Sequence, residues 1–306
     1  MSSPISHFIT APDGLKLHVR AYGSRATTRL PVVCLPGLAR TSADFDTLAS
    51  ALAGDAERPR YVLAMDYRGR GLSDYDRDPG NYSLAVELGD VLAVLTALGI
   101  APAVFVGTSR GGILAMMLGV ARPAAIAGVV LNDIGPVIET RGLVRIKSYV
   151  GRLPQPKSFE EGAEFLRRLF GPQFPSLTAD EWMSNARRTF QEKNGRIIPN
   201  YDPKLAHVLE DIDIERSLPP LWKEFDSLAR VPMMVVRGAN SDLLTAATVE
   251  AMRARRRQCD TVLVPDQGHA PLLSEDDIIR HISAFVAGCE PRTRAEPAIA
   301  ASADAK

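Results

Sequence analysis

The stretch that decides the fold reads Ala103-Val104-Phe105-Val106-Gly107-Thr108-Ser109-Arg110-Gly111-Gly112-Ile113-Leu114. Its first four residues are a continuous apolar run, as in a strand covered on both faces. Residues 110–121 are apolar nearly all round, as in a helix packed deep against a sheet. Between the two lies Gly107-Thr108-Ser109-Arg110-Gly111, a G-x-S-x-G pentapeptide. The pentapeptide alone is suggestive and not decisive, so the context decides. A strand, a turn with serine at its tip and a helix together form a nucleophile elbow. The flanking glycines permit a turn tight enough to lift the serine hydroxyl clear of the backbone.

Outward from the elbow, the same alternation of short apolar runs and helical patterns continues. Residues 31–35, 61–65, 126–131, 231–236 and 261–264 are further strand candidates, bounded by Gly, Pro or Asp. Residues 15–22 alternate, with Leu15, Leu17 and Val19 opposite Lys16, His18 and Arg20, which predicts a half-exposed edge strand. Helical patterns cover residues 42–53, 83–98, 245–255 and 274–287, the second with only a partial capping box at Ser83. Strand–helix alternation predicts an α/β fold with a mainly parallel sheet.

The alternation breaks between about Pro136 and Ser217. That stretch mixes aromatic residues with many charges and reads as helices joined by Pro/Gly loops. We expect a core from residues 1–135 and 217–289, a helical cap inserted at 136–216, and a disordered tail at 290–306. No solenoid or propeller period is present.

Composition narrows the function. Thirty-six Lys and Arg balance 36 Asp and Glu in 306 residues, which argues against binding nucleic acid through its phosphates. The longest uncharged apolar run is too short for a transmembrane helix. The start, Met1-Ser2-Ser3-Pro4-Ile5, has no basic segment before an apolar core, so no secretory signal is expected. Cys34, Cys259 and Cys289 are few, odd in number and far apart, as reduced thiols of a cytoplasmic protein would be. Phosphate-loop, zinc-protease and strand-associated dinucleotide motifs are absent, so neither cofactor nor metal is expected.

A serine nucleophile needs a base, and the base an orienting carboxylate. Of the five histidines, only His269 lies in a loop just after a predicted strand, within Asp266-Gln267-Gly268-His269-Ala270-Pro271. His18 points out of a strand, His281 lies in the last helix and His207 in the cap. Two carboxylates compete. Asp242 follows the 231–236 strand and gives the chain order Ser, Asp, His, so it is the preferred acid. Asp133 follows the preceding strand and is expected to line or brace the pocket. Both lie at carboxyl ends of sheet strands, where such sheets build their sites.

With these residues in view, the chain resembles the serine hydrolases of the α/β-hydrolase superfamily, in the branch with a helical cap after the sixth strand. The resemblance spans roughly residues 9–287. It rests on Pro36-Gly37-Leu38-Ala39, Asp66-Tyr67-Arg68-Gly69-Arg70-Gly71-Leu72-Ser73, the elbow at Ser109, Ser241-Asp242 and Gly268-His269. It implies an eight-stranded sheet with helices on both faces, and an oxyanion hole at the backbone N–H groups of Leu38 and Arg110. It also implies a small-molecule substrate cleaved by an ester hydrolase without cofactor. Lactone opening, carbon–carbon bond hydrolysis and perhydrolysis use the same triad, and a ligand-binding member without turnover is the rival of a different class. Serine at the elbow argues against the dehalogenase and epoxide-hydrolase branches, which carry Asp there.

Two further expectations concern the pocket. Trp182 and Phe170 of the cap are candidates for its wall. Arg110 departs from the apolar or aromatic residue that relatives often carry after the nucleophile. Its charge opposes the helix dipole, so Asp44, Asp46 or Asp133 is expected to pair with it; the rival reading is that Arg110 reaches the pocket and pairs with a substrate carboxylate.

Overall fold

The computed structural model describes residues 3–291 apart from 211, 214, 215, 217 and 257. The 136–216 boundary at Ser217 and nearly all of the tail expected at 290–306 therefore fall outside the described residues.

The chain opens with β1 (Ile5–Thr10), β2 (Lys16–Tyr22) and β3 (Val32–Leu35), followed by α1 (Asp46–Gly54), β4 (Val62–Met65) and α2 (Leu84–Ala97). The central unit is β5 (Ala103–Thr108), α3 (Arg110–Ala121) and β6 (Ile126–Asn132). Then come α4 (Thr140–Tyr149), α5 (Phe159–Phe170), α6 (Ala179–Thr189), β7 (Phe190–Lys193), β8 (Arg196–Pro199) and α7 (Trp222–Ser227). The chain returns to the sheet with β9 (Met233–Gly238), α8 (Ala246–Arg255), β10 (Cys259–Val264) and α9 (Asp276–Gly288).

Eight strands form one sheet in the order β1-β2-β4-β3-β5-β6-β9-β10. Pairings from β4 through β10 are parallel, while β2 runs antiparallel to both β1 and β4. This is the α/β-hydrolase fold, with a mostly parallel eight-stranded sheet and helices on both faces. Alternate residues of each continuous apolar strand supply opposite faces. Val33, Leu35, Phe105, Leu131 and Val235 face one core with α2 and α3. Val32, Cys34, Val104, Val106, Val130 and Val236 face the other with α1 and α9. A strand buried twice has no polar face to show, which is why these runs were readable as runs rather than as alternation.

Two elements differ from the expectation. The edge of the sheet is β1, not β2, so the side chain of His18 is buried instead of pointing outward. His18 Nδ1 lies 2.7 Å from Asp66 Oδ2 and Nε2 lies 2.9 Å from Ser6 Oγ, so two polar partners offset its burial. The segment between β6 and β9 is also not purely helical, because β7 and β8 form an antiparallel hairpin. Its turn is Asn194-Gly195, both with positive φ (53° and 70°), the chemistry of a two-residue hairpin loop.

The polypeptide leaves the sheet and returns to it at neighbouring points, since Leu221 N–H donates to Pro136 C=O at 2.7 Å. Within the segment, α5, α6 and β7 enclose a small apolar cluster of Ala163, Leu166, Phe174, Trp182, Ala186 and Phe190. Its far end is tied to the loop after β4. Asp202 N–H donates to Gly69 C=O at 2.7 Å, and Tyr82 O–H donates to Asp202 Oδ2 at 2.6 Å.

Candidate active site

Ser109 occupies the turn between β5 and α3 with φ 51° and ψ −114°, a region that costs a non-glycine residue of order 1–3 kcal/mol. Its N–H donates to Asn132 C=O at 2.9 Å, which helps hold the turn. The glycines beside it are demanded by contact. A Cβ at Gly107 would lie 2.6 Å from the Gly111 backbone, and one at Gly111 would collide with the Leu35 carbonyl oxygen. So α3 presses onto the ends of β3 and β5 only because neither residue has a side chain.

The loop after β10 brings His269 to the serine, with Nε2 2.8 Å from Ser109 Oγ. Its Nδ1 lies 2.8 Å from Asp133 Oδ2. A carboxylate only accepts, so this contact assigns the proton to Nδ1 and leaves Nε2 free to accept from the serine hydroxyl. The carboxylate is itself fixed: Oδ1 accepts from Gly238 N–H at 2.8 Å and Oδ2 from Ser241 O–H at 2.5 Å. Asp133 has φ 54°, and its own N–H donates to Val236 C=O at 2.7 Å.

In this geometry His269 meets Asp133 and not Asp242, the acid expected from the chain order. That residue lies beyond the end of β9, where its loop has turned toward α4. Arg145 grips it there with Nε and Nη2 donating to the two carboxylate oxygens at 2.7 and 2.9 Å. Burial alone would raise the Asp242 carboxyl, but the Arg145 guanidinium outweighs it and holds the carboxyl below its ordinary range. Asp133 directly follows the last residue of β6, one strand closer to β5, and so meets His269 first. The β9 loop still takes part, because Gly238 and Ser241 supply donors to Asp133.

The expectation for Arg110 is corrected too. Its Nε donates to Glu87 Oε2 at 2.5 Å and its Nη2 to Tyr82 C=O at 2.7 Å. Asp44 is engaged by Arg40, Asp46 by Arg20 and Asp133 by His269. Glu87 was missed because it reads as part of the solvent face of an amphipathic α2. In the fold it is fully buried, and its other oxygen accepts from Arg70 Nη1 at 2.6 Å. Arg70 in turn donates from Nε to Leu38 C=O at 2.8 Å. One buried carboxylate therefore braces both Arg110 and, through Arg70, Leu38. Among the described residues, the N–H groups of Leu38 and Arg110 donate to no protein acceptor.

A cavity of about 120 Å³ opens over the serine, lined among others by Leu38, Arg40, Tyr149, Phe170, Arg188 and His269. Phe170 takes the expected place in its wall, edge-on to Tyr149 with ring centres 5.1 Å apart. Trp182 does not, being buried in the apolar cluster of α5, α6 and β7. Among the described residues, no three His, Cys, Asp or Glu side chains converge as a metal-holding group. Nor is any helix among them long and apolar enough to cross a membrane.

The alpha/beta hydrolase family profile matches residues 32–281. The chain belongs to that family. This α/β hydrolase is 33% identical to a 3-hydroxybutyrate-oligomer hydrolase of Cupriavidus necator over 293 residues, 88% of this chain and 93% of that protein. It is 25% identical to a 2-(acetamidomethylene)succinate hydrolase of Mesorhizobium japonicum over 256 residues, 83% and 85% of the two chains. A solved alpha/beta hydrolase from Novosphingobium aromaticivorans is 39% identical, with a TM-score of 0.85 over 94% of this hydrolase and 99% of that chain.

Proposed function

We propose that this hydrolase cleaves a carboxylic ester through Ser109, His269 and Asp133. The observation that carries the reading is the continuous hydrogen-bond line from Ser109 Oγ through both ring nitrogens of His269 to Asp133. Ser109 attacks the ester carbonyl while His269 Nε2 takes the hydroxyl proton. Asp133 holds the imidazole in the Nδ1–H tautomer and stabilises the cation that forms. The tetrahedral oxyanion is received by the Leu38 and Arg110 N–H groups, at the N-terminus of α3, where the helix dipole favours negative charge. His269 then protonates the departing alcohol oxygen. A water, deprotonated by the same nitrogen, attacks the acyl-enzyme and frees the acid and the serine.

The Glu87 cluster supports the oxyanion assignment. A buried salt bridge is weak evidence for stability, because desolvating charges offsets much of their attraction. Here its effect is positional: Arg70 holds the Leu38 carbonyl, in the peptide unit next to the Leu38 N–H, and so restrains the loop that carries the proposed hole. The relative named for 3-hydroxybutyrate oligomers brings esters of short hydroxy acids into the range to be tested.

Labelling with a fluorophosphonate, followed by peptide mapping, is expected to place the adduct on Ser109. Ser109→Ala is expected to stay folded and lose on the order of 10⁶-fold in kcat on the best ester of a panel that also holds lactones and diketones. An adduct on another serine, or turnover unchanged by Ser109→Ala, overturns the assignment.

A further inference from the structure

The cavity lining includes two guanidinium groups, those of Arg40 and Arg188, and a single carboxylate, that of Asp44. Arg40 donates from Nε and Nη2 to the two oxygens of Asp44, at 2.9 and 2.7 Å. Asp44 Oδ2 also accepts from Thr41 N–H at 3.3 Å. That carboxylate is already matched by one cation when the second arrives. Arg188, from α6, approaches Asp44 Oδ1 only to 3.4 Å, outside hydrogen-bond geometry. Among the described residues Arg188 makes no hydrogen bond, and its buried Nε has only the long ion pair with Asp44.

An arginine carries five donors and keeps its charge under any ordinary condition. Leaving a buried donor unmade costs roughly 1–3 kcal/mol, more when the group is charged. The neighbouring Arg187, by contrast, stacks over the Phe159 ring with its guanidinium carbon 5.1 Å from the ring centre. Burial and the nearby Arg40 both push the Arg188 guanidinium down, and Asp44 only partly restores it. The charges facing this point are Arg40, Arg188 and Asp44, with Asp46 further off and tied to Arg20. The balance is one positive charge in excess.

The site is also close to the chemistry. A Cβ placed on Gly37 would stand 3.3 Å from Arg40 Cγ and 3.8 Å from Ser109 Cβ, so both side chains border one small gap. Asn185, whose Oδ1 is 3.4 Å from Arg40 Nη1 and Nη2, adds a polar group on the same wall.

We propose that Arg188, backed by Arg40, binds a carboxylate carried by the substrate, so that the preferred esters are anionic: half-esters of short dicarboxylic acids or acylated hydroxy acids. A planar carboxylate accepts two parallel N–H bonds from a guanidinium fork, which satisfies the donors left open here. The proposal rests on the ester-hydrolase reading of Ser109, and the cavity size restricts the spacing between carboxylate and scissile ester to a few carbons.

The test compares matched pairs: monoethyl against diethyl succinate and glutarate, for an acyl-side anion, and 3-acetoxybutyrate against its methyl ester, for an alcohol-side anion. The native enzyme is expected to favour the anionic member of at least one pair tenfold or more in kcat/KM. Arg188→Met is expected to lower that ratio at least tenfold, chiefly through KM, and Arg188→Lys to restore part of it. A native enzyme that turns over neutral esters with labelling at Ser109, yet shows no anionic preference in either pair, overturns the carboxylate site and leaves the hydrolase reading intact. Calorimetry on Ser109→Ala reads binding without turnover. Monoethyl succinate is expected to bind it and to bind Ser109→Ala/Arg188→Met at least tenfold more weakly. Equal binding by the two, or none, overturns the proposal even if no ester is ever cleaved.

Discussion

The loops that follow β6 and β9 begin one strand apart, at the same end of the sheet, and each carries an aspartate to a cationic or basic partner. Asp133 leaves β6 at once, is wholly buried, and takes three bonds from groups on other elements: Gly238 N–H, Ser241 O–H and His269 Nδ1. Asp242 sits further along its loop and is held by one guanidinium, that of Arg145. The difference teaches that position after a strand nominates a carboxylate, while the donors converging on it decide its work. Fixed backbone and hydroxyl donors immobilise Asp133 and leave one lone pair for the imidazole. A bidentate arginine holds both oxygens of Asp242 toward α4, and among the described residues no hydrogen bond joins it to the His269 ring.

The sharpest way to break this contrast is to neutralise each acid in turn. Removing the orienting carboxylate of a serine–histidine pair costs about 10⁴-fold in kcat, because the imidazole adopts the wrong tautomer. Asp133→Asn is expected to show a loss of that order on the best neutral ester, with the fold intact by circular dichroism. Asp242→Asn is expected to change kcat by less than about threefold. If Asp242→Asn proves the more damaging, the two loops exchange roles.

Ser241 permits a finer cut, because it belongs to the β9 loop but serves the β6 acid. Its hydroxyl donates to Asp133 Oδ2 and also accepts from Leu243 and Leu244 N–H at 3.3 and 3.1 Å. A hydrogen bond to a charged group contributes roughly 1.5–3 kcal/mol. Ser241→Ala is therefore expected to lower kcat about tenfold, or somewhat more, with KM nearly unchanged. An unaltered kcat would mean that Gly238 and the β6 backbone hold Asp133 without help from the neighbouring loop.

The same contrast shows what the sequence could disclose. The sheet, the elbow and His269 were readable because each rests on local chemistry: apolar runs, a glycine-flanked serine, a histidine just past a strand. The choice between Asp133 and Asp242 was not, since it depends on where the β9 loop turns and on Arg145, 97 residues away along the chain. Glu87 escaped for a similar reason. An acidic residue on a helix reads as a solvated one until Arg70 and Arg110 are brought to it from two other elements. The β7–β8 hairpin, by contrast, was legible. Asn194-Gly195 is a strong two-residue hairpin signal, although the segment around it reads as helices joined by Pro/Gly loops. Strand β1 offered only the weak alternation of Ile5, His7 and Ile9 with Ser6, Phe8 and Thr10, the second face fully exposed and the first only partly covered.

The smallest expected effect asks what Asp242 does if it is not catalytic. Its carboxyl is held below the ordinary range despite burial, because Arg145 stabilises the charged form. A carboxyl depressed in the folded state binds fewer protons there than in the unfolded chain. Its contribution to stability is then present above the unfolded value, about 3.9, and is lost as pH falls through the folded one. The bond is partly open to water, so a contribution of about 1 kcal/mol is expected, between an exposed ion pair and a buried charged hydrogen bond. Urea unfolding should show Asp242→Asn less stable than the native chain by that amount near pH 7, with the gap narrowing as pH falls below the unfolded value. A gap that stays constant or widens on acidification would mean that Asp242 is not stabilised as a charge by Arg145. The β9 loop would then need another reason for its position, and the division of labour between the two aspartates would have to be drawn elsewhere.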